Sequence, residues 1–153
     1  MTITLLNQQT NHPLNPEKIQ KLAEWLAERL EPRTSNPWNE VCVVLTDDEG
    51  IVPANKEYFG KERPTDVISF RYDPVPGEDE GYTGDLIVNV DRAVQRGSEE
   101  KGADYELALY IAHGFDHLSG AEDDTPEKKK AMLDTETAWL EEIGTEALSN
   151  LFE

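Results

Sequence analysis

Residues 103–123 read ADYELALYIAHGFDHLSGAED and are the most informative stretch of the chain. Helix formers dominate its first part, so the sequence predicts a helix over roughly residues 103–119. His113 and His117 lie four residues apart, and side chains at this spacing project from one helical face with β-carbons ~6 Å apart. Gly120 comes next and can end the helix and reverse the chain. The reversal would return the acidic residues that follow to the face of the two imidazoles.

Two imidazoles on one face can bind a single metal ion through nitrogen at ~2.0–2.1 Å. The acidic run Glu122, Asp123 and Asp124 offers a carboxylate as the third ligand. Three protein ligands and one water form the open arrangement of catalytic zinc sites. The same run also fits an acidic loop ahead of the helix that Pro126 opens. In that interpretation Asp124 or Thr125 caps the helix and binds no metal.

The residue after the first histidine argues against a metalloprotease. In the HExxH pattern of those enzymes, a glutamate at this position serves as the general base. This chain has Gly114 there. The sequence therefore does not predict proteolysis.

The rest of the chain predicts an α+β fold. Strand and helix patterns follow in the order β-α-β-(short α)-β-β-α-α-α, with strands adjoining in the middle and helices clustered at the end. The expected strands are residues 3–6, 40–46, 66–72 and 84–90. The expected helices are residues 16–31, 52–59, 91 to about 97–101, 103–119 and 125–143. A turn is expected at residues 47–50, a loop at 73–84, and a weakly ordered tail from about residue 144.

Length and composition predict one soluble domain over residues 1–153, since single domains are typically ~100–150 residues long. Apolar runs such as residues 41–45 are far shorter than the ~20 residues of a membrane span, and no signal-peptide pattern opens the chain. Cys42 is the only cysteine, which excludes an internal disulfide. Its place in a predicted buried strand indicates a small core residue rather than a nucleophile. We therefore expect a cytoplasmic protein with no membrane partner.

The charge balance argues against broad binding of a nucleic-acid backbone. Fourteen basic residues against thirty-two acidic ones give a net charge of −18 and a pI of about 4.4, whereas counterion release favours basic proteins on nucleic acid. Residues 55–72 differ, because they carry four basic residues against three acidic ones. If the chain binds a polyanion, we expect it to bind here. The alternative is a locally neutral segment of an acidic, solvated surface.

Three motifs together resemble one known family. Residues 113–123, HGFDHLSGAED, resemble the pattern HGxLHLxGYDH. Residues 55–70, NKEYFGKERPTDVISF, resemble N-x-x-Y-R-x-x-x-x-P-T-[DN]-V-L-S-F, and residues 84–88, GDLIV, resemble a Gly-Asp-Leu strand. Each is weak alone, but they occur in family order and together span about residues 40–143. The chain is thereby identified as a member of the YbeY family of ribosomal-RNA maturation factors.

The resemblance implies an α+β fold in which a small mixed sheet of about four strands packs against about five helices, one of them a zincin-like catalytic helix. It implies one metal ion per chain, usually Zn²⁺, with His113, His117 and Asp123 at the ligand positions. It also implies an endoribonuclease that acts on single-stranded RNA in bacterial 16S ribosomal-RNA 3′-end maturation and ribosome quality control.

Two departures from the family pattern concern the metal. Asp123 takes the place of the third histidine, and its carboxylate can bind zinc at ~2.0–2.2 Å. The added negative charge weakens the Lewis acid and raises the pKa of bound water, and an oxygen ligand admits another divalent metal. Asp116 takes the place of a leucine. Asp116 could orient a ligand imidazole, act as a base or face solvent. The third ligand could also be Asp116 or Asp124 instead of Asp123.

A third departure concerns the phosphate. Phe59 takes the place of an arginine, whose guanidinium would suit a phosphate. A phenylalanine could stack on a base or could belong to the core of a short helix. Lys61 and Arg63 are then the candidates to stabilise phosphate charge, and they complete a predicted catalytic set with His113 and His117.

These departures leave room for other functions. One alternative is a catalytically weakened, ribosome-associated factor of the same fold that binds a protein partner, for which basic ribosomal proteins would suit an acidic surface. Another is a metal-dependent hydrolase of a different small substrate.

Overall fold

The computed structural model describes residues 1–77 and 81–153. Its strands are β1 (Thr2–Asn7), β2 (Trp38–Thr46), β3 (Val67–Tyr72) and β4 (Tyr82–Asn89). Its helices are α1 (Pro16–Leu30), α2 (Asp48–Phe59), α3 (Val90–Gly97), α4 (Ala103–Leu118), α5 (Pro126–Ile143) and the one-turn α6 (Thr145–Leu148). The α+β class is confirmed. Part of the loop predicted over residues 73–84, residues 78–80, lies outside the described residues. None of the described helices is both long and apolar enough to span a membrane.

The four strands form one mixed sheet in the order β1-β2-β4-β3. β1, β2 and β4 run parallel, whereas β3 pairs antiparallel with β4 at one edge. Parallel neighbours need a crossover connection, which α1 provides between β1 and β2. Edge strand β3 contacts α4, so the sheet edge lies beside the helix that carries the two histidines.

The core lies between one face of the sheet and helices α1 and α4. Side chains alternate between the faces of a strand, so every second residue points inward. The buried strand residues include Val41, Val43, Leu45, Leu86 and Val88. The buried residues of α4 include Leu107, Ile111, Phe115 and Leu118. Burying each such side chain is worth ~1.5–3 kcal/mol, so packing holds α4 in place and the histidines with it.

Gly114 allows α4 to approach the sheet closely. A β-carbon built at this residue would meet Cδ2 of the buried Leu86 at 2.7 Å. A larger side chain would have to displace Leu86 from a close-packed core. The glycine that stands where metalloproteases have their glutamate is therefore required by packing.

Helix α2 begins earlier than the sequence indicates. Residues 47–50, expected to form a turn, instead start the helix, with Asp47 as the N-cap. The Asp47 side chain accepts a hydrogen bond from the Gly50 amide at 2.8 Å, and acidic residues are favourable in a first turn because of the helix dipole. The other end agrees with the prediction, because Gly60 caps the helix in the left-handed conformation with φ of 69°.

The expectation of a weakly ordered tail is wrong. Leu151 is fully buried, and its carbonyl accepts a hydrogen bond from the Asn15 amide at 2.8 Å. The Asp104 carboxylate accepts hydrogen bonds from the amides of Asn150 and Phe152, each at 2.9 Å. The tail is ordered because packing against α1 and α4 buries its apolar side chains and hydrogen-bonds its backbone. These contacts join distant parts of the chain, so short-range sequence patterns do not reveal them.

The interpretation of Cys42 as a core residue is also wrong. Its neighbours Val41 and Val43 point into the core, so Cys42 points to the opposite face of β2, where it is half-buried. Partial burial, with Asp85 and Glu40 nearby, raises the pKa of the thiol. The thiol therefore stays protonated at neutral pH, which agrees with the expectation that it is no nucleophile.

Candidate metal centre

The fold brings the three predicted ligands together. His113 and His117 project from α4, and Asp123 follows in the loop toward α5. One ligand atom from each lies within 4.8 Å of the other two. The Asp123 carboxylate oxygen Oδ2 lies 3.4 Å from Nε2 of His117 and 3.7 Å from Nε2 of His113. Two imidazole nitrogens and one carboxylate therefore face a common point.

The chain reversal that delivers Asp123 depends on Gly120. This residue has φ of 99°, a conformation that side chains disfavour. Its amide donates to the His117 carbonyl at 2.9 Å, and the Ala121 amide donates to the Asp116 carbonyl at 3.3 Å. These bonds close the end of α4, as the sequence predicts.

A backbone carbonyl orients His117. Nδ1 of the ring donates a hydrogen bond to the carbonyl oxygen of Ala121 at 3.0 Å. Because a carbonyl can only accept, the proton of the neutral ring is on Nδ1. Nε2 then keeps its lone pair on the side facing Asp123, which is the form that binds metal.

A buried glutamate orients His113. Nδ1 of this ring lies 3.0 Å and 3.1 Å from the two carboxylate oxygens of Glu136, which α5 contributes and which is only 1% exposed. Metal-binding histidines characteristically donate their second ring nitrogen to a carboxylate or a carbonyl. Sequence reasoning missed Glu136. The available signal was an acid in the apolar stripe of α5, four residues from both Met132 and Leu140.

The pKa values of this pair are shifted. Burial raises the pKa of Glu136 to about 7. The hydrogen bond with His113 acts in the opposite direction and lowers this pKa, whereas the neighbouring Asp116 raises it further. Burial alone would lower the pKa of His113, but the hydrogen bond and the charge of Glu136 outweigh it and the pKa rises. At a given pH, His113 is therefore protonated in a larger fraction of molecules than an ordinary histidine, and a metal ion must displace that proton to bind. Acidification therefore weakens metal binding.

Asp116 does not join the ligand cluster. Its side chain is buried, and Oδ1 accepts a hydrogen bond from Nη1 of Arg33 at 2.8 Å. None of the described residues donates to Oδ2. Asp124, the other alternative, is exposed and pairs with Lys128 at 3.2 Å. The proposals that Asp116 faces solvent or replaces Asp123 are therefore wrong, whereas Thr125 caps α5 as expected, since its hydroxyl accepts from the Lys128 amide at 3.1 Å.

The three clustered residues line a cleft of about 790 Å³. Both predicted cations, Lys61 and Arg63, line the same cleft, and so do Arg96 of α3 and Lys129 of α5. None of the four forms an ion pair with another residue in the described ranges 1–77 and 81–153. Sequence reasoning missed Arg96 and Lys129, because only the packing of α3 and α5 around α4 turns them toward the cleft. The cleft is also lined by four acidic residues, Asp66, Glu106, Asp123 and Glu136, so in a chain of net charge −18 its cations and acids are equal in number.

Phe59 lines this cleft as well, and it is 57% exposed. The interpretation of Phe59 as a core residue is therefore wrong. Phe59 is the last residue of α2, and the buried residues of that helix are instead Ile51 and Asn55.

Comparison with known proteins indicates the same family as the three sequence motifs. The sequence matches the family model described as Endoribonuclease YbeY over residues 4–144. Relatives of that name include the protein of Bacillus pumilus, 36% identical over 139 residues (84% of this chain and 85% of that protein). Another is that of Geobacter metallireducens, 35% identical over 126 residues (78% and 79%). The solution structure of TM1509 from Thermotoga maritima has the same fold, with a TM-score of 0.59 at 23% identity over 92% of this chain and 88% of that one.

Proposed function

Since the chain belongs to the YbeY family of endoribonucleases, we propose that it is a metal-dependent enzyme that hydrolyses phosphodiester bonds of single-stranded RNA. We place its activity in the bacterial cytoplasm, in 16S ribosomal-RNA 3′-end maturation and ribosome quality control. The observation that carries the proposal is the convergence of His113, His117 and Asp123 in a cleft that also holds four cations without ion pairs to described residues.

The chemistry of the three donors fits a divalent metal. Both histidines can present an unprotonated Nε2, because their Nδ1 atoms are engaged by Glu136 and by the Ala121 carbonyl. Two imidazoles and a carboxylate suit Zn²⁺ and admit other divalent ions. When bound there, such an ion polarises a phosphoryl oxygen or lowers the pKa of a water.

The remaining residues of the cleft would act on the RNA itself. Lys61 and Arg63 are placed to offset the negative charge that develops on the phosphate during hydrolysis. Arg96 and Lys129 line the same cleft and would hold neighbouring phosphates of an extended strand. Backbone contacts of this kind carry little sequence information. We therefore expect the enzyme to cleave single-stranded RNA with little preference for its sequence.

We expect cleavage of a labelled single-stranded RNA that carries a bacterial 16S 3′ end, and little cleavage of the same RNA annealed to its complement. Replacing both Lys61 and Arg63 by Met should lower kcat/KM by at least ~10²-fold, because each cation is expected to stabilise transition-state charge. Lys56→Met is the matched control, since Lys56 pairs with Glu62 and lies outside the cleft. Failure of metal-loaded wild type to cut either RNA would contradict the proposal.

Glu136→Gln should weaken metal binding ~10–100-fold, because the amide oxygen can still accept from Nδ1 of His113 but carries no negative charge to raise the basicity of that ring. The affinity can be measured by competition with a chelator. Glu141→Gln, on the exposed face of the same helix, is the control. An unchanged affinity in Glu136→Gln would show that the negative charge of Glu136 does not contribute to metal binding.

Binding to a basic ribosomal protein is a second proposal, favoured by the net charge of −18. It predicts salt-sensitive association with purified small-subunit proteins that survives His117→Ala. Association lost together with the metal, or none at low salt, would argue against it.

A further inference from the structure

We propose that Phe59 is a base-stacking subsite of the RNA cleft, on which one unpaired base of a single strand packs face to face with the ring. The inference rests on the proposed function and adds a contact to the base, whereas the role proposed above for the cations of the cleft is to contact phosphates. It concerns a residue at which this chain departs from the family pattern, since an arginine is typical there.

The first argument is exposure. Among the exposed large hydrophobic side chains of the described residues, Phe59 has the largest exposed fraction, 57%. A single exposed apolar residue is ordinary on a protein surface. Phe59, however, lies in the cleft that contains the metal cluster, where solvent exposure of an aromatic ring leaves a face available to a ligand.

The second argument is rigidity. Gly60 ends α2 directly after Phe59, and its amide donates to the Lys56 carbonyl at 2.9 Å. Buried Asn55 then holds the following loop, because its carbonyl accepts from the Lys61 amide at 3.3 Å and its side chain donates to the Arg63 carbonyl at 2.7 Å. The backbone that presents Phe59 is therefore held before RNA binds, so stacking costs little further ordering.

The third argument is that positively charged side chains line the cleft near the ring. Lys61 and Arg63 follow Phe59 within four residues, and both line the same cleft. Single-strand binders characteristically combine aromatic platforms for bases with cations that follow the phosphates. A base in a duplex has both faces covered by its neighbours, so this subsite would select an unstacked, single-stranded nucleotide.

The test uses a short single-stranded RNA and a series of copies in which one nucleotide after another is abasic. Binding is measured by fluorescence anisotropy with chelator present, and cleavage is measured separately with metal. For wild type, we expect one abasic position to raise Kd and KM by ~5- to 150-fold, the range of one base–aromatic stack. Phe59→Leu should raise Kd for the intact RNA by the same factor and lose sensitivity to that abasic position, while Phe59→Trp should keep both properties.

Phe70→Leu is the matched control, because Phe70 is an exposed phenylalanine, 38% exposed, that does not line the cleft. It should bind and cleave like wild type. The inference is overturned if Phe59→Leu binds the intact RNA as tightly as wild type, or if every abasic position affects both proteins equally. Binding that follows the expected pattern without any cleavage would support the subsite and contradict the proposed enzyme function. Cleavage without the pattern would do the reverse.

Discussion

Purified without a histidine tag, the wild-type protein should contain close to one divalent metal ion per chain, and His117→Ala and Asp123→Ala should contain almost none. The physical reason is that each variant leaves only two of the three clustered donors, and two ligands do not hold a labile ion through purification. Mass spectrometry of the native protein counts the metal. RNA cleavage should fall with it, by ~10³-fold or more if the ion supplies several kcal/mol to the transition state.

Glu122→Ala provides the matched control for Asp123→Ala. Glu122 is the adjacent acid, but its carboxylate pairs with Lys128 at 3.2 Å and lies outside the cluster of His113, His117 and Asp123. This variant should keep its metal and its activity. Metal retained in Asp123→Ala, or lost equally in Glu122→Ala, would contradict the assignment of the third ligand to Asp123.

Arg33→Met should lower the free energy of unfolding by about 2–3 kcal/mol, because the buried Asp116 then loses its guanidinium partner and keeps only the carboxyl group of Glu136 as a polar neighbour. A fully buried pair would lose more, ~3–5 kcal/mol, but the Arg33 side chain is 36% exposed and water can replace part of its contact. Denaturant unfolding at neutral pH measures the effect. Lys130→Met is the control, since its partner Asp134 is exposed and such pairs contribute only ~0.3–0.5 kcal/mol.

The double variant Arg33→Met with Asp116→Leu separates the buried charge from the lost contact. Replacing both partners by apolar residues removes the uncompensated charge. Most of the lost stability should return. If instead the two substitutions destabilise additively, the cost of Arg33→Met comes from packing against its neighbours, such as Trp139, and not from the charge of Asp116.

Local patterns predicted the elements of the fold well, and for a physical reason. Helix α4 and the cap at Gly60 depend on residues within a few positions of one another, so spacing and residue type are sufficient to indicate them. The acidic start of α2 misled the prediction, because aspartates favour turns and helix N-caps alike. The order of the tail could not be predicted, since Leu151 is held by contacts with Asn15 at the other end of the chain.

By itself, then, the sequence determined the α+β class, the family, the pair of histidines on one helical face, and the run of acids from which a third ligand could come. Only the tertiary structure showed that Asp123 lies beside the two imidazoles, that Glu136 is buried against His113, that Asp116 pairs with Arg33 and that Phe59 is exposed. The reason is distance along the chain. Glu136 is 23 residues from His113 and Arg33 is 83 from Asp116, so these contacts exist only once separate helices pack at fixed positions, and no short-range pattern encodes that packing.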